Sequence, residues 1–141
     1  MSNTTEGYKA TATIGNVSFK TGIEVGGHSF VSDAPAEHGG DDTAASPMAL
    51  LAASLASCKA MTCAMYAKRK GWPVERIDVV VQHSQAASDG DSSKPRDRFH
   101  ADITIVGDVD SDQQQRIYDI AARCPVHKAL TGSQLTSDLR A

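Results

Sequence analysis

Apolar and polar residues alternate over Tyr8–Ile14 and again over Val17–Thr21, with Gly15-Asn16 between them. A period of two puts alternate side chains on one face, and a two-residue Gly-Asn break suits a tight reversal, so the pattern predicts a hairpin. Ile23–Val25 and His28–Ser32, parted by Gly26-Gly27, extend it into an antiparallel meander. From Asp33 to Ala45 the chain carries Pro35, Gly39-Gly40 and Asp41-Asp42-Thr43 and is expected to run as a surface loop. The pattern then changes character. Pro47 to Lys70 is rich in Ala, Leu and Met, with Ser46 as N-cap, Pro47 at the first helical position and Gly71 before Trp72-Pro73 as the stop, which predicts one long helix. Lys68-Arg69-Lys70 complement the negative end of its dipole. Leu50, Leu51, Leu55, Met61 and Met65 point in nearly every direction, so the helix is expected to be buried on all sides. Ser54, Ser57 and Lys59 interrupt the run and argue for a soluble core helix over a bilayer span.

Alternation returns in Val74–Gln85, through Ile77, Val79 and Val81, and in Arg98–Val106. These two segments are expected to pair across a polar loop, Ala86 to Asp97, and to add two strands to the sheet. Ser111 is placed as the cap of a helix from Asp112 to about Arg123, with Ile117, Ile120 and Ala121 as its apolar stripe. Pro125 opens a short second helix and puts Cys124 at its N-cap. Gly132 ends that helix, and Ser133 to Leu139 is long enough for a last edge strand. The resulting class is α+β in a single domain, residues 1–141, without internal repeats.

The totals narrow the function. A net charge of -3 and the lack of a basic stripe argue against a nucleic-acid partner. The segment Met1–Gly7 has neither the basic nor the apolar part of a signal peptide, so a cytoplasmic protein with no membrane association is expected. Its three cysteines should then be reduced at rest.

Chemistry concentrates in those thiols. A cysteine at a helix N-terminus faces unpaired N–H groups that favour the thiolate, which singles out Cys124, with His127 and Arg123 as nearby sources of positive charge. Cys58 sits mid-helix on a face shared with Leu51, Leu55, Thr62 and Met65 and needs a cation from elsewhere in the fold. Lys59 is set aside for that role, because adjacent residues diverge by about 100° around a helix. Cys63 lies about 7.5 Å further along and roughly 140° round from Cys58, too far for a disulfide, and reads as a packed core residue.

Gly39-Gly40-Asp41-Asp42-Thr43, the run from Ser46-Pro47-Met48 to Ser57-Cys58, Tyr66–Pro73 and Cys124-Pro125-Val126-His127 together resemble the OsmC/Ohr family of osmotically inducible protein C and the organic hydroperoxide resistance proteins. The resemblance implies an OsmC-like fold in which two chains intertwine as a homodimer around long central helices. It also implies a site in which Cys58 is the peroxidatic cysteine and Cys124 the resolving one. The activity implied is reduction of an organic hydroperoxide, with an external dithiol as reductant, no cofactor and a role in oxidative stress defence. Hydroperoxide-reducing members hold the first cysteine with an N-terminal arginine oriented by a glutamate. Here the glutamate position is Met48 and no arginine precedes Arg69, leaving Lys9 and Lys20 as the N-terminal cations, so the chain resembles a less characterised branch.

The alternative is a non-catalytic dimer of the same fold that binds an apolar small molecule. His38, in Glu37-His38-Gly39-Gly40, is a further site-lining candidate should its loop cover Cys58. The five histidines and three cysteines show no metal-ligand spacing, and no metal is expected.

Overall fold

The computed structural model describes residues 7–88 and 91–140. The chain forms two compact units, Met1–Leu50 and Leu51–Ala141.

The first unit is the antiparallel meander β1 (Ala10–Ile14), β2 (Thr21–Val25) and β3 (His28–Ser32), in the order β1-β2-β3. Its middle strand is not Val17–Thr21 as expected. Ile14 pairs with Thr21, and Val17 is 96% exposed. Short-range bonds bend the intervening segment: the Lys20 N–H donates to Ser18 Oγ and the Thr21 hydroxyl donates to the Phe19 carbonyl. Such local side-chain bonds compete with a ladder for the same backbone. The turn at Gly26-Gly27 falls where expected, with both residues at positive φ.

After β3 the connection is a folded loop rather than a loose one. Asp33 is buried, and its carboxylate accepts from the Ala34 N–H and from both the N–H and the hydroxyl of Thr43. Those Thr43 bonds hold the carboxyl below the usual carboxylate range. The Asp33 N–H and the Ser32 hydroxyl both donate to the Ala45 carbonyl, closing the loop at its base. Gly40 fits there because a Cβ would collide with the Ala34 backbone.

Helix α1 (Pro47–Lys70) has the predicted bounds. Ser46 Oγ accepts from the Ala49 N–H at 3.2 Å. At the other end Gly71 takes φ 73°, and the Gly71 and Trp72 N–H groups donate to Lys68 and Ala67, the paired bonds of a Schellman stop. The expectation of burial on every side is not met within the chain. Leu55, Lys59, Cys63 and Ala67, four residues apart, form the only fully buried stripe, while Met48, Met61 and Met65 are 38%, 59% and 67% exposed. By length and composition alone α1 could cross a bilayer.

In the second unit β4 (Val74–Ser88) and β5 (Asp91–Gly107) form an antiparallel pair. Among the described residues the strands therefore make two sheets, not one. Each group satisfies its ladder with its sequence neighbours, and a 24-residue helix separates them. The expected loop Ala86–Asp97 is mostly paired strand: Gln85 faces Asp97, Ala86 faces Arg96 and Ala87 faces Pro95, while residues 89 and 90 lie outside the described residues. Backbone ladders do not need apolar side chains, so polarity alone misplaces the strand ends.

Helix α2 (Ser111–Ile120) is capped by Asp110, one residue before the expected Ser111. Asp110 accepts from the Gln113 N–H and Gln113 Oε1 accepts from the Asp110 N–H, a reciprocal capping box. The expected last turn to Arg123 is instead a 3-10 segment, Ala121–Arg123. Ile117 and Ala121 then join Cys63 and Ala67 in the core, with Trp72, Ile77, Ile103 and Ile105 packed around them. Helix α3 (Pro125–Thr131) starts at Cys124 as expected. The edge strand expected at Ser133–Leu139 does not form, and Leu135 and Leu139 are 96% and 98% exposed.

Candidate functional site

Helix α1 presents Cys58 half-buried and Lys59 buried. The start of α3 presents Cys124, with no exposed surface. Pro125 sets the break, since the residue before a proline is held extended, and Cys124 has φ -65° and ψ 141°. Its sulfur thus acts as the helix cap and accepts from the His127 N–H at 3.3 Å.

The fold brings the two thiols together. Cys58 lies close enough to Cys124 to raise its pKa. The expectation that the helix start lowers the Cys124 pKa is overturned. Burial is the largest influence and pushes the thiol up; the His127 N–H lowers it, Cys58 raises it again, and the Lys59 ammonium lowers it. Desolvation outweighs one N–H of a helix only seven residues long. The net effect keeps the Cys124 proton in place, on a sulfur that no bulk reagent can touch.

Lys59 is the residue that the sequence reading set aside. Its side chain runs inward and Nζ donates to the Ala121 carbonyl at 3.1 Å and meets His127 Nδ1 at 3.0 Å. A lysine ammonium can only donate, so in this contact Nδ1 takes the acceptor role. The helix-wheel argument concerned only Cys58, and Lys59 instead reaches a segment 62 residues further along. An apolar-faced helix carrying one lysine in its middle was the available signal.

Cys63, as expected, is a packing residue. It is fully buried and donates to the Ile117 carbonyl at 3.4 Å, and burial raises its pKa. His127 is half-buried within the site, through its backbone on Cys124 and its ring on Lys59. Lys9, Lys20 and His38 belong to the first unit and are exposed there, and Lys20 lies near enough to Asp33 to help lower its pKa. Among the described residues no three His, Cys, Asp or Glu side chains converge as a metal site.

The arrangement is a partly exposed thiol near a buried one, with a buried lysine beside the second. A family model described as OsmC-like protein matches residues 39–139. No curated protein matches the chain in sequence. Among solved structures, a Psychrobacter arcticus protein described as an osmotic stress induced and detoxification response protein is 27% identical, with 85% of each chain covered and a TM-score of 0.71. An OsmC-like protein of Mycoplasma pneumoniae is 22% identical over 91% of this chain and 89% of its own, with a TM-score of 0.74. An organic hydroperoxide resistance protein of Legionella pneumophila is 20% identical over 92% and 93%, with a TM-score of 0.69. The likeness to the last two is one of fold. With the family pattern spanning most of its length and the α+β architecture in agreement, the chain belongs to the OsmC-like protein family.

Proposed function

We propose that the protein is a thiol-dependent peroxidase that reduces organic hydroperoxides, and that it works as a homodimer. The observation that carries this reading is the proximity of half-buried Cys58 to buried Cys124, near enough for one thiol to shift the ionisation of the other. The Legionella structure, named an organic hydroperoxide resistance protein, supports the substrate class. The exposed apolar face of α1 supports the dimer, since a face bearing Met61 and Met65 needs a cover.

In this reading the Cys58 thiolate attacks the outer peroxide oxygen. The O–O bond breaks, the alkoxide takes a proton and leaves as the alcohol, and Cys58 becomes a sulfenic acid. The Cys124 sulfur then attacks Cys58, losing its proton as hydroxide departs, so that water is released and a disulfide forms. A dithiol restores both thiols and is itself oxidised to a disulfide. Burial suits Cys124 to the second step, because it meets only an oxidised neighbour and not free peroxide.

Cumene hydroperoxide consumption in the presence of a dithiol tests the reading. Cys58→Ser is expected to lower turnover at least about a thousandfold, the scale of losing a nucleophile. Equal consumption by wild type and variant removes the peroxidase.

A second reading, binding of an apolar small molecule without turnover, is favoured by a cleft of about 540 Å³ between α1 and β4, lined by Ala60, Met61, Ala64, Trp72 and Ile77 with Lys68 at its edge. A small molecule that co-purifies, found by native mass spectrometry together with thiols inert to hydroperoxide, selects it.

A further inference from the structure

Lys59 occupies an unusual position. It is 6% exposed, and among the described residues no carboxylate forms an ion pair with it. Burying an ammonium without a counter-charge is costly, so its two acceptors and its neighbours must account for it. The acceptors are the Ala121 carbonyl and His127 Nδ1. Those residues stand three before and three after Cys124. The charged or ionisable neighbours it acts on are Cys63 and Cys124.

We propose that Lys59 is a positioning residue for the two-thiol site. It clamps both flanks of Cys124 to the turn of α1 that carries Cys58, and supplies the positive charge that a forming thiolate requires. The inference deepens the reading above and rests on the pairing of Cys58 with Cys124. One side chain fastens the segment on both sides of the resolving sulfur, so the distance between thiols depends on it. Its neighbour in sequence is Cys58 itself, which makes clamp and nucleophile part of one rigid helical turn. The chain lacks an arginine before Arg69. Lysine here acts through an ammonium fixed by two bonds, without a planar fork.

The test uses diamide in place of a hydroperoxide. Diamide takes two electrons and two protons from the thiol pair and becomes the hydrazine, while the Cys58–Cys124 bond forms. The reaction is quenched with N-ethylmaleimide and the disulfide is quantified by mass spectrometry of the full-length protein. Lys59→Met is expected to slow closure about tenfold, within the range that misplacement of a reacting group costs. Lys59→Arg restores the cation and is expected to stay within about threefold of wild type, a rescue that a purely space-filling role does not predict. His127→Ala removes one of the two anchors and is expected to fall between them. K59M closing as fast as wild type overturns the proposal, and so does H127A indistinguishable from wild type. Should K59M lose its far-UV circular dichroism, K59R and H127A decide the matter alone. Because diamide bypasses the hydroperoxide, Lys59-dependent closure in a protein inert to cumene hydroperoxide supports this inference while removing the peroxidase reading.

Discussion

Cys63 and Cys124 are both wholly buried, and burial pushes both thiols up, yet their surroundings differ. Cys63 faces Ile117, Ala121 and Ala67, and spends its proton on a carbonyl. Cys124 lies where a helix begins, under an N–H donor, within the influence of Cys58 and of a buried lysine. Burial alone therefore says little about a cysteine's role; the identity of what it touches decides.

Substitutions sharpen this contrast. Of these two thiols, the larger expected effect is at Cys124. Cys124→Ser should leave a stoichiometric burst of hydroperoxide consumption and then cut steady turnover about a hundredfold, because the sulfenic acid at Cys58 has lost its partner. A variant that turns over like wild type would erase the distinction between the two thiols. Next comes the floor beneath Cys63. Ile117 is fully buried, and Ile117→Ala should destabilise the fold by about 2–5 kcal/mol in urea titration, through lost transfer energy and the cavity left behind. Cys63→Ala should cost only about 1 kcal/mol and leave turnover within about twofold. A large loss of activity with stability intact would put Cys63 in the site.

The smallest effect is on pH dependence. Burial raises the folded-state pKa of Cys63 above its ordinary value of 9.0. The unfolded chain therefore ionises this thiol first, and its contribution to stability, complete below that value, is lost as pH rises through the folded-state pKa. Wild-type stability should decline above about pH 9, and Cys63→Ala should flatten the decline. An unchanged alkaline profile would mean that Cys63 is better hydrated than its burial implies.

What could be read from the sequence follows the range of the forces involved. Helix α1 was legible to the residue because Ser46, Pro47 and Gly71 act within a turn of the backbone they terminate. Cys124 as a cap was legible for the same reason, since Pro125 restricts only its neighbour. Misplaced features mark competition between adjacent options. Asp110 and Ser111 both make good caps, and Gln113 decides by completing the box with Asp110. Val17–Lys20 alternates like a strand, but Ser18 and Thr21 bond locally and release it. Lys59 was illegible in a deeper sense. Its partners, Ala121 and His127, are distant in the chain, and no rule of spacing ties a mid-helix lysine to a carbonyl in a 3-10 segment. The resemblance to a family pointed to the thiols and to an N-terminal cation, not to this lysine.

The methionines along α1 carry one last implication. Met61 and Met65 stand open to solvent on one side of the helix, and an oxidant able to reach Cys58 can attack thioethers too. Each sulfoxide formed would plant a polar, chiral oxygen on that wall and weaken any assembly built across it. On the peroxidase reading proposed above, the protein has reason to keep this side of the helix out of water.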